Sequence, residues 1–187
     1  LDPLVPAFVA VLLAGWTDKP AALAAVLADR FGARAVWPGA VLALAGGFAL
    51  AVVGGVLVAP MLAPNARALL LALALLSAGA AAMWRGGRFD RLEGWKLPGS
   101  LTSLFGLFIL TLGDRSQFLV FALTARTPQP WLAAIGGTLA ATIPIVAAAI
   151  LGERDWQRLP HRAIGIGAGG LLLITGAVIG LSALRLL

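Results

Sequence analysis

The sequence predicts an all-α integral membrane protein, with six transmembrane helices arranged as two inverted three-helix repeats. Three observations carry that expectation. The 187-residue chain is 60% hydrophobic and only 12% charged, with mean hydropathy +0.97, whereas soluble domains average about 25% charged residues. It holds six apolar runs, each near the roughly 20 residues needed to cross a bilayer as helix. An acid followed at once by a base occurs twice within apolar sequence, as Asp18-Lys19 and Asp114-Arg115, 96 residues apart.

The first span is read at 4–28 and contains Asp18-Lys19-Pro20. The second, 38–59, carries Gly46-Gly47, and the third covers 66–84. These make a first repeat, 1–84, joined by a charged cytoplasmic linker, 85–97, to a second repeat, 98–187. The fourth span, 98–124, contains Asp114-Arg115; the fifth, 131–151, carries Gly136-Gly137; the sixth covers 163–184. The runs are continuous and rich in Ala and Leu, which excludes the alternating pattern of barrel strands. Lipid offers the backbone no hydrogen-bond partners, so such runs must be helical. Arg30 and Arg126 repeat the spacing of the acids. Three spans per repeat is an odd number, so the second repeat enters the membrane inverted, a plan recurrent among transporters.

Basic residues set the expected orientation. Arg30, Arg34, Arg85, Arg88, Arg91, Lys96, Arg154, Arg158 and Arg162 fall on one side, and Arg67, Arg126 and Arg185 on the other. The richer side is cytoplasmic by the positive-inside rule, which puts both termini in the periplasm of a bacterial inner membrane. Trp37, Trp84, Trp95, Trp131 and Trp156 fall at span ends, where an amphipathic ring suits the headgroup layer. The linker charges suit anionic lipid. Net charge +6 and a pI near 11.5 do not point to nucleic acid, because no contiguous basic face exists. With no cysteine and a single histidine, His161, the chain lacks the makings of a thiolate metal site, a disulfide or a catalytic triad, so no enzyme is expected. His161, beside Pro160 and Arg162, reads as a solvated or headgroup-facing loop residue. The run Gly165 to Gly170 fits a dinucleotide-binding pattern but follows no strand. Its four-residue glycine spacing, repeated at Gly176 and Gly180, is instead that of closely packed membrane helices.

A charge at the centre of a span costs about 2.5–3.5 kcal/mol on insertion scales. Asp18, Lys19, Asp114 and Arg115 therefore need partners or water. Two readings follow: each acid neutralises its adjacent base and locks the bundle, or the acids form a cation or proton pathway. Thr17, Thr111, Ser116 and Gln117 lie close by in sequence and carry oxygens of the type that hard cations prefer. Pro20 and Pro144 each read either as a kink that frees a carbonyl or as a tolerated bend.

The stretch Thr111-Leu112-Gly113-Asp114-Arg115-Ser116-Gln117 resembles the signature Glu-x-Gly-Asp-Lys/Arg-Thr/Ser of the Golgi-type divalent cation/proton exchangers, the transmembrane protein 165 family, whose bacterial members export manganese. Gly15-Trp16-Thr17-Asp18-Lys19-Pro20 is the weaker match in the first half. The chain departs from the pattern at both glutamates, which are Gly15 and Thr111 here. Thr17 stands in the glycine's place and Pro20 in the hydroxyl's. The resemblance implies that Asp18 and Asp114 form the cation site, as metal ligands or proton-coupling groups, with Lys19 and Arg115 at the basic positions and Ser116 at the hydroxyl position. It implies exchange of manganese or calcium, bound as substrate rather than cofactor, against protons. A different class of function stays open beside it: a transport-inactive relative serving as a structural subunit. The expected partners are membrane lipid, a small inorganic cation, and a second copy or a larger membrane complex.

Overall fold

The computed structural model describes residues 3–84, 90–92 and 94–184. Among them the chain forms eight α-helices and no strand: α1 (Leu4–Gly15), α2 (Lys19–Phe31), α3 (Ala33–Val58), α4 (Pro64–Met83), α5 (Gly99–Thr111), α6 (Arg115–Thr124), α7 (Pro130–Arg158) and α8 (His161–Ala183). A short 3₁₀ turn, Ala59–Met61, extends α3. Helices α3, α4, α7 and α8 are each long and apolar enough to cross a membrane. The other four form two bent pairs, α1–α2 at 64° and α5–α6 at 67°; with each pair taken as one span the total is six. Large aliphatic side chains such as Leu42, Leu57, Leu73, Ile150 and Ile174 point outward, as lipid-facing residues should.

The first and fourth spans, expected to be continuous, are thus broken at their acids. Asp18 and Asp114 have extended backbone, with φ/ψ of −85°/150° and −71°/158°, and each stands immediately before the first residue of a half-helix, α2 or α6. Aspartate favours that position over a helix interior. Each turn closes with the same bond: Asp18 N–H donates to Gly15 O at 3.2 Å, and Asp114 N–H to Thr111 O at 3.1 Å. Gly113 takes φ +76° in the second turn, a conformation that strains any residue with a Cβ. Pro20 does not kink a continuous helix. It lies in the first turn of α2, where its missing N–H would have had no helical partner.

The two halves run in opposite directions. A single residue, Gly32 at φ +85°, joins α2 to α3, so α3 returns across the membrane. Helix α3 lies parallel to α5–α6, with Gly39 against Ser100 and Ser103, Gly47 against Thr111, and Gly55 against Thr124. In the same way α7 follows α1–α2, with Gly136 against Leu4, Gly15 against Pro144, and Gly152 against Asp29. The bent span of the second half therefore runs with α3 and against α1–α2. These contacts make Gly39 and Gly136 counterparts, 97 residues apart, and likewise Gly47 and Pro144. The double glycines Gly46-Gly47 and Gly136-Gly137, one in each repeat, are not counterparts: one pair faces the break of α5–α6, whereas Gly136 meets the start of α1.

Helices α4 and α8 pack closely through glycines. A Cβ on Gly165 would meet Ala82 O, and one on Gly79 or Gly169 would meet the other's carbonyl. This is the use expected of the glycine spacing.

Helix α7 breaks at Gly152, φ +75°. There the Asp29 carboxylate, from the end of α2, accepts a hydrogen bond from Glu153 N–H at 2.9 Å. Beyond the break Trp156 turns inward, 4% exposed, and stacks on Trp16 with ring centroids 6.0 Å apart. His161 Nε2 donates to Trp156 O at 2.7 Å. The headgroup position expected for Trp156 is corrected by this fold-back, while His161 stays half-exposed and lines an open space, and Trp37, Trp84 and Trp131 are exposed at helix ends. In the linker, Leu92 O and Trp95 O accept from the Arg30 guanidinium at 2.9 and 3.0 Å, and Arg91 pairs with Glu153 at 2.5 Å. Arg85, Arg88 and Arg185, three of the basic residues that set the expected orientation, lie outside the described residues, as does Glu93 of the linker.

Candidate cation site

The two breaks face each other. Asp18 and Asp114 line one small cavity of about 20 Å³, together with Gly15, Thr111, Ser116 and Gln117; Phe48, Pro144 and Ile145 close its apolar side. A single water needs roughly 10–15 Å³ by the same measure, so the space holds one water or one small ion. Helices α1 and α5 end at this cavity and α2 and α6 begin there. Terminal carbonyls and terminal N–H groups, with their opposite partial charges, thus meet around the carboxylates.

The charges pair across the halves rather than along the chain. Arg115 Nε lies 2.5 Å from Asp18 Oδ1, an ion pair without hydrogen-bond alignment. The same guanidinium donates from Nη2 to Thr17 Oγ1 at 2.9 Å, and Ser116 Oγ donates to Asp18 Oδ2 at 3.0 Å. The Asp18 and Arg115 side chains are 9% and 10% exposed. The adjacent pairing weighed from the sequence, Asp18 with Lys19 and Asp114 with Arg115, does not form. Consecutive side chains at a helix start point in different directions. Lys19 is exposed and has no acidic partner among the described residues. Asp114 has no basic partner among them either, and its neighbouring charged side chain is Asp18.

The other expected residues separate into two kinds. Thr111 and Ser116 present hydroxyls at the cavity, with Thr111 Oγ1 donating to Phe108 O at 3.0 Å. Gln117 also reaches it, but both ends of its amide are engaged: Nε2 donates to Gly47 O at 2.7 Å and Oε1 accepts from Gly113 N–H at 2.8 Å. It straps α3 to the second break and so positions the site. Thr17 lies outside the small cavity, in the wider spaces below. Sequence reasoning missed Gly47, Phe48, Pro144 and Ile145 as lining. Only the isolated proline and the double glycine gave a signal for any of them, and neither pointed to a cavity. No group of three acidic or histidine side chains that could hold a metal exists among the described residues. A cation here would take its oxygens from two carboxylates, two hydroxyls, helix-end carbonyls and water.

Two larger spaces reach the acids from the side where α4 ends and α8 begins. One, of about 630 Å³, runs past Trp16, Lys19, Trp84, Glu153 and Arg162 to Asp18. The other, of about 430 Å³, is lined by Thr17, Lys19, Trp84, Gly113 and Arg115 and touches both Asp18 and Asp114. Irregular backbone at membrane depth is tolerated where it lines such a space.

Two inverted halves, each with a broken span and a polar break turned toward its mate, are the build of a multi-pass membrane transporter, and the oxygen-rich centre is of the kind that suits a hard cation. The chain belongs to the divalent cation/proton antiporter GDT1 family, whose family model matches residues 3–89 and again 99–186. The two matched stretches start with the same 96-residue spacing that separates Asp18 from Asp114. No curated protein and no solved structure matches the chain.

Proposed function

We propose that this protein exchanges a divalent cation, manganese or calcium, for protons, with Asp18 and Asp114 as the charged ligands. The observation that carries the reading is the shared cavity: two acids 96 residues apart, one from each inverted half, line a space sized for one ion. Thr111 and Ser116 hydroxyls and water complete a shell of six or more oxygens. The test is flux in liposomes loaded with a manganese or calcium indicator, driven by a pH gradient. Cation flux coupled to proton counter-flow is expected, with loss of flux when Asp18→Asn and Asp114→Asn are combined. Full flux in that double variant would overturn the reading.

The same reading places the protein in a bacterial inner membrane with both termini periplasmic, its 30–34, 85–97 and 154–162 segments cytoplasmic, and repeats at 1–84 and 98–187. Topology reporters fused at the termini and in the linker check this. The larger spaces then open to the cytoplasm. A second reading, a transport-inactive structural subunit, has the neutralised Asp18–Arg115 pair in its favour. Gentle extraction and native mass spectrometry distinguish it: a stable companion protein together with no flux would favour the subunit.

A further inference from the structure

Asp18 already has a cation. The Arg115 guanidinium sits on one of its oxygens, Ser116 holds the other, and both side chains of the ion pair are about nine-tenths buried. Asp114, beside it, has no basic partner among the described residues. The cavity thus presents one carboxylate paired with a base and, against it, one that has no base among the described residues. A divalent ion that bridges both must meet a fixed positive charge at the first, and two cations cannot share one carboxylate at that distance without strong repulsion. Arg115 has somewhere to go. It lines the space of about 430 Å³ that opens beside the breaks, and among the described residues it donates one hydrogen bond, to the Thr17 hydroxyl. Lys19, its counterpart in the other half, already faces such space.

We infer that Arg115 is a tethered competitor of the transported cation: it holds Asp18 until the ion arrives, and must swing into the adjoining space before both carboxylates can bind. Withdrawal of Arg115 takes one fixed positive charge away from the two carboxylates. Thr17 is the latch that biases the arm inward, not a cation ligand. The inference rests on the proposed cation site and adds a specificity-determining residue to it.

The experiment is titration calorimetry of the purified full chain with manganese and with calcium at one pH, alongside thermal unfolding of each variant. Arg115→Gln is expected to bind the divalent ion about tenfold or more tighter than wild type, because a competing charge is gone. Arg115→Lys keeps that charge and should stay close to wild type. Thr17→Val, which leaves the charge but removes the latch, should tighten binding a few-fold. A cation ligand at Thr17 would give the opposite sign. Lys19→Gln removes an equal charge nearby and measures the general field effect, which Arg115→Gln must exceed. Equal or weaker binding by Arg115→Gln, with Asp114→Asn abolishing wild-type binding, overturns the competitor while leaving the cation site standing. If Arg115→Gln does not fold, Thr17→Val decides, and weakened or unchanged binding there counts against the inference. No binding by any variant, Arg115→Gln included, removes the site and the competitor together.

Discussion

The two bent spans share a plan but differ in turn conformation, with Trp16 helical where Leu112 is extended and Gly113 at positive φ, and in side chains. Each ends its first half-helix at the cavity, turns through three residues closed by an aspartate N–H bond to the carbonyl three residues back, and starts its second half-helix with that aspartate at the cap. Yet the second span supplies nearly every polar contact. Arg115 and Ser116 hold Asp18, and Gln117 ties α3 to the turn. At the matching positions the first span has Lys19, which points into the open spaces, then Pro20 and Ala21, which have no side-chain donor. The shared break-and-restart plan builds the cavity, and the side-chain asymmetry decides which acid is paired with a base.

That contrast can be broken most sharply at the acids. Asp18→Asn should destabilise the fold by about 3 kcal/mol, because it leaves the buried Arg115 charge without its partner. Asp114→Asn should leave stability within about 1 kcal/mol, since no basic side chain depends on it, while abolishing divalent binding. Chemical unfolding in detergent compares them, and equal losses would mean the two acids are not differently held. Where the halves are alike, substitution should hurt alike. Gly39→Ala and Gly136→Ala each drive a Cβ into a facing backbone carbonyl, Ser100 O and Leu4 O respectively. Each should cost about 2 kcal/mol, as overpacking does, and the two melting shifts should match closely. Gln117→Leu removes two hydrogen bonds that the first half does not have. It should cost about 1–2 kcal/mol and increase hydrogen exchange at Gly113. The smallest effect belongs to the turns themselves: Gly113→Ala should lose about 1 kcal/mol from its positive φ, whereas Thr17→Ala carries no such backbone penalty. Thermal unfolding that ranks these two the other way would show that the positive φ at Gly113 is not what makes the second turn the more sensitive.

Much of this architecture was legible in the sequence for a plain reason. Crossing a bilayer demands apolar length, so the fifth and sixth spans stand almost where 131–151 and 163–184 put them, with the break at Gly152 ending the fifth. The repeated acid could be found because a charge in lipid is rare enough for its recurrence to be noticed. What stayed hidden depends on direction rather than composition. Asp18-Lys19 looks like a neutral pair on paper, but a cap residue and the first helical residue project apart, and only the facing half determines who meets Asp18. Gln117 looked like a ligand because its amide has an oxygen; that oxygen is taken by Gly113 N–H. Trp156 looked interfacial because it ends an apolar run, and the turn at Gly152 carries it back onto Trp16.

The crossing of Arg115 from one half to the acid of the other bears on how such a duplicated chain can change. Two copies of the leading half, paired head to tail, would offer each acid only a lysine that faces away and a proline with no hydrogen to give. Two copies of the trailing half would set an arginine on every acid and leave no vacancy. Each half has become the other's missing part, so neither is free to drift alone, and a change at 115 is in effect a change at 18.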